Sequence, residues 1–354
     1  FKADPEIVRR SLLPVRPCAK QRRLVYDPGE VAELDLYLFN DTNRPTPGEL
    51  VLSVVAPDGQ ERRVGSWPVP AHQREVFSQL VAPRVALPAF DQPGTWQVRF
   101  AHSAAPDALF TRDLLVVPPA PATQAPLTIA VSGVARSVQQ QLAALPGVTI
   151  VPFRAGGTYH GIIASGLTAA EITRRQVGEQ TGLEARPPGE EAVVTRGDIP
   201  EAVLEAVRAG TPLLALVPED GLAEGVARQL AVLGLFDYHG QVGTLRAPWM
   251  GNWNFLRAHP LFAGIPADCA TSVLHQVEGQ PSNGLLVAGA QGGDGGLEII
   301  AGYSRDHDRF TGAATLIAQA KGMRVAVHRL PDMVAPLQRR FYANAVRWLA
   351  GETA

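Results

Sequence analysis

Two cysteines, no long apolar run and no surplus of basic residues mark this sequence, and each scarcity removes a class of explanation. Cys18 and Cys269 are the only cysteines in 354 residues. They fall in different proposed domains, so neither a disulfide framework nor a Cys-based zinc site is indicated, and the redox compartment stays open. No stretch approaches the ~20 consecutive apolar residues that a membrane-spanning helix needs. The opening FKADPEIVRR also lacks the basic-then-apolar order of an export signal, so no membrane partner is expected. Thirty-two Lys and Arg stand against 34 Asp and Glu, a formal net charge of −2. Without a basic excess there is no phosphate-tracking surface, and nucleic acid is not an expected partner.

What is present is enough apolar material for a folded chain: 46% hydrophobic residues against 19% charged. Disorder is therefore not the starting expectation, and the length suits two domains rather than one core. The chain opens on Phe1 rather than Met, which we read as an expectation that something upstream has been removed. The cellular compartment, whether cytoplasmic, periplasmic or secreted, is left undecided.

From Leu24 to Val117 short apolar runs with period-2 alternation are divided by turn residues: VAELDLYLFN, LVLSVVAPDG, GTWQVRFAH and LFTRDLLVV. Asp58-Gly59 has the chemistry of a hairpin turn, and Asp27-Pro28-Gly29 and Gln92-Pro93-Gly94 punctuate likewise. About seven strands without a helical period predict a β-sandwich over residues 20–117, with Trp96 as its core aromatic. Residues 1–19 are expected to be an extended segment leaving an upstream domain. PPAPATQAP, residues 118–126, reads as a semi-rigid Pro-rich linker.

Beyond it, over residues 127–354, the period changes. LTIAVSG, VTIVPF, HGIIASG, TPLLALVP and MRVAVHRL are apolar enough to be buried on both faces. SVQQQLAAL, PEAVLEAVRAG and GLAEGVARQLAVLG are helical, with Pro200 at the start and Gly210 past the end of the second. Strand alternating with helix predicts a doubly wound parallel sheet. The final segment LQRRFYANAVRWLA places Phe341, Ala345, Trp348 and Leu349 on one helical face. The Gly-, Pro- and Glu-rich stretch 176–198 is expected to be a surface insertion.

In open α/β sheets reactive groups stand at the carboxyl ends of strands, and no nucleophile elbow is legible there: after TPLLALVP come Pro218, Glu219, Asp220 and Gly221, and G-x-S-x-G is absent. No catalytic residue is assigned. Cys269 is expected to be a buried structural thiol. AQGGDGGLE reads as a flexible hairpin rather than a phosphate cradle, so no cofactor is expected. Asp306, His307 and Asp308 are ligand types without a second cluster; a salt-bridged surface or domain contact is favoured over metal. In APWMGNWNF, Trp249, Trp253 and Phe255 could pack locally, dock another domain or stack on sugar. The intervening Gly251 and Asn252 favour a loop. Tyr303, in GYSRDHDRFTG, joins Trp249, Trp253, Phe255, Asp306, His307 and Asp308 as a candidate interface or sugar contact.

FKADPEIVRR, KQRRLVYDPGEVAELDLYLFND, APWMGNWNFLRAHPLFAGIP, EIIAGYSRDHDRFTGAATL and HRLPDMVAPLQRRFYANAVRWLA together resemble the C-terminal region of large bacterial glycoside hydrolases of family 2, the β-galactosidase and β-glucuronidase family. The resemblance implies an immunoglobulin-like sandwich followed by a catalytically silent domain of the class I glutamine amidotransferase type. Family 2 enzymes act with two glutamates on a (β/α)₈ barrel. The acid/base glutamate follows Asn, and Asn-Glu occurs nowhere in this sequence. The implied activity thus belongs to an upstream catalytic barrel of the same polypeptide, with this chain supporting packing or a homo-oligomer. The alternatives kept open are a stand-alone carbohydrate-binding protein and an amidotransferase-like hydrolase with an unrecognised site.

Overall fold

The computed structural model describes residues 5–166, 198–217, 220–243, 252–271, 274–275, 283–290, 296–305, 311–330 and 332–352. The chain divides into two compact units, Phe1–Pro119 and Ala120–Ala354.

The first unit carries α1 (Pro5–Ser11) and eight strands: β1 (Val15–Gln21), β2 (Val25–Tyr26), β3 (Glu33–Asn40), β4 (Glu49–Val55), β5 (Glu61–Pro68), β6 (Ser78–Ala86), β7 (Gly94–His102) and β8 (Ala105–Val116). They form a three-stranded sheet, β1-β3-β6, and a five-stranded sheet, β2-β8-β7-β4-β5. Alternation does the sorting, since successive side chains leave a strand on opposite faces. Leu34, Leu36 and Leu38 of β3, Leu50, Leu52 and Val54 of β4, and Trp96, Val98 and Phe100 of β7 are all buried. Trp96 is the core aromatic, tilted against Phe90 at 5.3 Å, and its indole N–H donates to the Gln92 carbonyl at 2.9 Å. The β4–β5 hairpin turns at Asp58-Gly59, with Gly59 at φ +84° and the Asp58 carboxylate accepting from the Gln60 N–H. Within the segment 1–19 expected to be extended, the described residues 5–19 differ from that expectation. Pro5–Ser11 is helical, and β1 pairs antiparallel with β3 from Val15↔Asn40 to Gln21↔Leu34.

The second unit holds β9 (Leu127–Ser132), α2 (Arg136–Ala143), β10 (Val148–Pro152), β11 (Gly161–Ala164), α3 (Glu201–Arg208), β12 (Leu213–Leu216) and α4 (Asp220–Val232). These are followed by β13 (Asp237–Gly243), β14 (Asn252–Leu256), β15 (Cys269–Ala270), β16 (Asn283–Ala288), β17 (Gly296–Arg305), β18 (Gly312–Ala320), β19 (Met323–His328) and α5 (Ala335–Leu349). Five strands pair in parallel in the order β10-β9-β11-β12-β19. Counting only these five parallel strands, the order is 2-1-3-4-5, with the strand order reversing between β9 and β11. Antiparallel β18, β17, β14 and β15 extend the sheet beyond β19.

The runs GIIA and LLAL are buried at every position because helices cover both faces. On one face Ile162, Ala164, Leu213, Ala215, Val325 and Val327 pack with Val203, Leu204 and Val207 of α3 and Val226, Ala227 and Leu230 of α4. The other face receives α5, whose Phe341, Ala345, Trp348 and Leu349 are buried. Leu349 lies so near Gly161 that a β-carbon there would stand 2.6 Å from its Cβ. Helix α3 is preceded by Pro200 at its N-cap and followed by Gly210 at φ +98°, where a left-handed residue lets the chain leave the helix.

Two local expectations change. Asn252–Leu256 is a strand, not a loop, pairing with β17 from Asn252↔Arg305 to Leu256↔Ala301; cross-strand bonding overrides the weak local preference of Asn and Gly. Cys269 is exposed, not buried, because it stands on the two-residue strand β15 at the sheet's rim. Residues 167–197, which include nearly all of the expected insertion, and residues 291–295 lie outside the described residues. β16 and β17, on either side of the latter, each pair with β18.

Candidate functional site

The carboxyl edge of the parallel strands is the first place to look for chemistry. β11 ends into Ser165, which is 4% exposed and whose Oγ has no hydrogen-bond partner among the described residues. β19 ends in His328, also 4% exposed. Its Nδ1 pairs with Thr315 Oγ1 at 2.9 Å, and its ring stacks on Phe341 with centroids 4.0 Å apart. Burial pushes the imidazole down to about 3, so it is neutral across the physiological range.

Register decides whether these two groups could cooperate. Ala164 pairs with Ala215, and Leu216 with His328, so Ser165 and His328 are level, on the face away from Ala164 and Val327. β12 lies between them. Two strand spacings amount to about 10 Å, whereas a nucleophile and its base must approach to about 3 Å. The serine and histidine do not form a dyad. Beside them Arg329 is fully buried, its backbone N–H donating to the Ala314 carbonyl at 2.7 Å.

A second locus lies on the antiparallel extension. Phe255 and Arg257, at the end of β14, and Leu297, Glu298 and Ile299 of β17 line a cavity of about 310 Å³ together with Thr311. β14 and β17 are neighbours. The Phe255 ring covers Gly302, where a β-carbon would stand 3.0 Å from its Cζ. The Arg257 guanidinium lies over that ring, 5.3 Å from the centroid. Register shifts in β17 between Ile299 and Ala301 and between Ala301 and Gly302 bend the strand along this wall, as bulges do. His259, two residues beyond Arg257, accepts the Leu261 N–H on its Nδ1 at 3.2 Å. Burial lowers its pKa and the charge of Glu298 raises it, burial being the larger effect.

Of the two candidate contacts whose side chains are described, Phe255 lines this cavity and Tyr303 does not. Tyr303 is 3% exposed, and its ring lies within 2.7 Å of a β-carbon built on Gly284; it belongs to the packing of the sheet. Trp253 pairs with Ser304 through its backbone; its side chain, together with Trp249, Asp306, His307 and Asp308, lies outside the described residues. Among the described residues no group of three or more His, Cys, Asp or Glu could hold a metal ion. The Cys269 thiol, though on an exposed residue, is partly desolvated, and that desolvation and then the charge of Asp268 raise its pKa, which disfavours the thiolate a nucleophile requires. Sequence reasoning missed Arg257, Glu298 and Thr311. An isolated Arg, Glu or Thr has no local pattern, and these residues meet only through strand pairing.

No protein-family model and no curated protein matches the chain. Among solved structures it is similar to a β-glucosidase from Listeria innocua in complex with gluconolactone, at 10% identity, covering 29% of this chain and 16% of that one, with a TM-score of 0.24. A β-glucosidase involved in saponin metabolism from intestinal bacteria is 12% identical over 28% of this chain and 15% of its own, at a TM-score of 0.22. Alpha-2-macroglobulin of E. coli in its native conformation is 21% identical over 32% and 7%, at 0.22. Weak structural neighbours of the chain thus include β-glucosidases, and the chain spans 16% of the length of the first of them.

Proposed function

We propose that this chain is a non-catalytic accessory region of a glycoside hydrolase of the family 2 type. In this reading the first unit is an immunoglobulin-like sandwich and the second a silent domain of the glutamine amidotransferase type. The partner is an upstream catalytic barrel of the same polypeptide, and the accessory units support its packing or a homo-oligomer. The segments from Phe1 to Ala350 that resemble the end of those bacterial enzymes support it. The observation that carries it is the separation of Ser165 from His328 by the whole of β12. At the sheet edge where an amidotransferase-type nucleophile and base would meet, the serine has no partner among the described residues and the histidine is committed to Thr315.

The test is an assay of the isolated chain against nitrophenyl glycosides and glutamine, with no turnover expected. Turnover that disappears when one residue of this chain is substituted would overturn the proposal.

A further inference from the structure

The strand order of the parallel sheet reverses between β9 and β11. In open α/β sheets ligands settle outside the carboxyl ends of the strands at such a reversal. β9 leaves the sheet at Ser132, and α2 begins at Arg136. The N–H groups in the first turn of a helix have no carbonyl ahead of them and need a partner from outside the helix. No capping side chain supplies one at α2: the N-cap is Ala135, without a side-chain hydrogen bond, and the first turn holds no acidic residue. The nearby carbonyls are already taken by Gln139, whose backbone N–H donates to Ala135 at 3.0 Å and whose side chain donates to Val134 at 2.7 Å. The helix instead opens with Arg136, which is exposed and forms no ion pair among the described residues. A cation at this position opposes the helix dipole, whereas an anion bound there is stabilised by the dipole and the cation together.

Ser165 is the independent observation that points to a ligand. Alternation along β11 places its side chain. A β-carbon on Gly161 would stand 2.6 Å from the Leu349 Cβ of α5, while Ile162 and Ala164 belong to the core on the side of α3 and α4. Ser165 therefore points to the α5 side, as Gly161 does. Helix α2 lies on that side too, packed on β10 and α5. Ser132 pairs with Ala164, and its carbonyl accepts the Ser165 N–H at 2.9 Å. Ser165 thus stands beside the short loop from which α2 starts. There its hydroxyl is buried, on a residue 4% exposed, with no hydrogen-bond partner among the described residues. A buried donor left unpaired is costly, and a bound ion is one of the few things that account for it.

We infer that the crevice between β9 and β11, framed by the first turn of α2 and by Ser165, binds a phosphate group. The N–H groups of that turn and the Ser165 hydroxyl donate to its oxygens, and Arg136 offsets its charge. A phosphate presents acceptors in several directions at once, which suits donors arriving from a helix end and from a strand end. A neutral hydroxyl compound gains nothing from the dipole or from Arg136. The inference rests on the second unit alone and stands whether or not the chain serves a glycosidase.

The experiment is isothermal titration and phosphorus NMR of the full 354-residue chain at constant ionic strength. Inorganic phosphate and phenyl phosphate are the probes, with acetate and phenol as controls. Saturable phosphate binding is expected, with phenol silent and acetate weaker. Tighter binding of phenyl phosphate assigns the site to a phosphomonoester, and tighter binding of inorganic phosphate assigns it to the free ion. Ser165→Ala should weaken phosphate binding about tenfold, the factor typical of losing a hydrogen bond to a charged group. The same variant should keep or raise the melting temperature of the unliganded chain, because the hydroxyl has no partner to lose; this separates lost binding from lost folding. Arg136→Gln should weaken binding about fivefold. Ala135→Asp supplies the missing cap from within the chain, so it should raise the melting temperature while weakening phosphate binding at least about tenfold. The inference is overturned if phosphate does not bind saturably, if acetate or phenol binds as tightly, or if Ser165→Ala or Ala135→Asp leaves the affinity where it was.

Discussion

Acidification should destabilise the second unit through His328, and the size of the effect follows from its surroundings. The ring is 4% exposed, stacked on Phe341 at 4.0 Å, with Nδ1 on Thr315 Oγ1 at 2.9 Å. Burial lowers its pKa from the usual 6.5 to about 3. Between those two values the unfolded chain binds a proton that the folded protein refuses, so stability is lost as the pH falls through 6.5 toward 3. Going from about pH 8 to about pH 5 protonates the unfolded imidazole by some 1.5 pH units, and the loss is RT ln(1 + 10^1.5), about 2 kcal/mol. Other groups titrate over the same range, so the effect is isolated by comparison with His328→Gln. Urea denaturation of both proteins, followed by circular dichroism, gives their stability difference at each pH. The variant should be the weaker at pH 8, having lost the stacked ring. At pH 5 the difference should be smaller by about 2 kcal/mol, because only the parent carries the penalty. A difference equal at both pH values would refute the reasoning.

Two further substitutions test the packing of the same unit. Phe341→Ala removes a fully buried ring whose centroid lies 4.0 Å from that of His328 and 5.7 Å from that of Tyr342, and should cost about 3–5 kcal/mol in chemical denaturation; a loss below about 1 kcal/mol would place the ring outside the core. Gly284→Ala should cost about 1–3 kcal/mol, since its β-carbon would stand 2.4 Å from the backbone Cα of Gly312. Gly289→Ala, with nothing within 4 Å, should be near neutral, and equal melting temperatures for the two variants would show that β16 and β18 do not approach as closely as described.

Several elements could be read from the sequence because their causes are local. The alternation of ELDLYLFN sends Leu34, Leu36 and Leu38 inward whatever the partner strand. Pro200 and Gly210 bracket α3 because a fixed φ suits a helix start and a positive φ suits its exit. The apolar stripe of the last helix is likewise set by 3.6-residue periodicity, and Phe341, Ala345, Trp348 and Leu349 are all buried.

Other features have causes that no window of sequence contains. Asn252–Leu256 is extended because β17, some fifty residues later, supplies its hydrogen bonds. Cys269 is exposed because β15 stands at the rim of a sheet whose order is not written in the Cys itself. The cavity combines residues 255 and 257 with residues 297–299 and 311, none of which forms a motif alone. The sequence by itself determined which residues turn inward and where helices start and stop, since those depend on backbone periodicity and on the φ of single residues. The tertiary structure alone decided that Ser165 and His328 stand two strands apart and that Arg257 and Glu298 share a cavity, because strand order and register arise from pairing between distant segments.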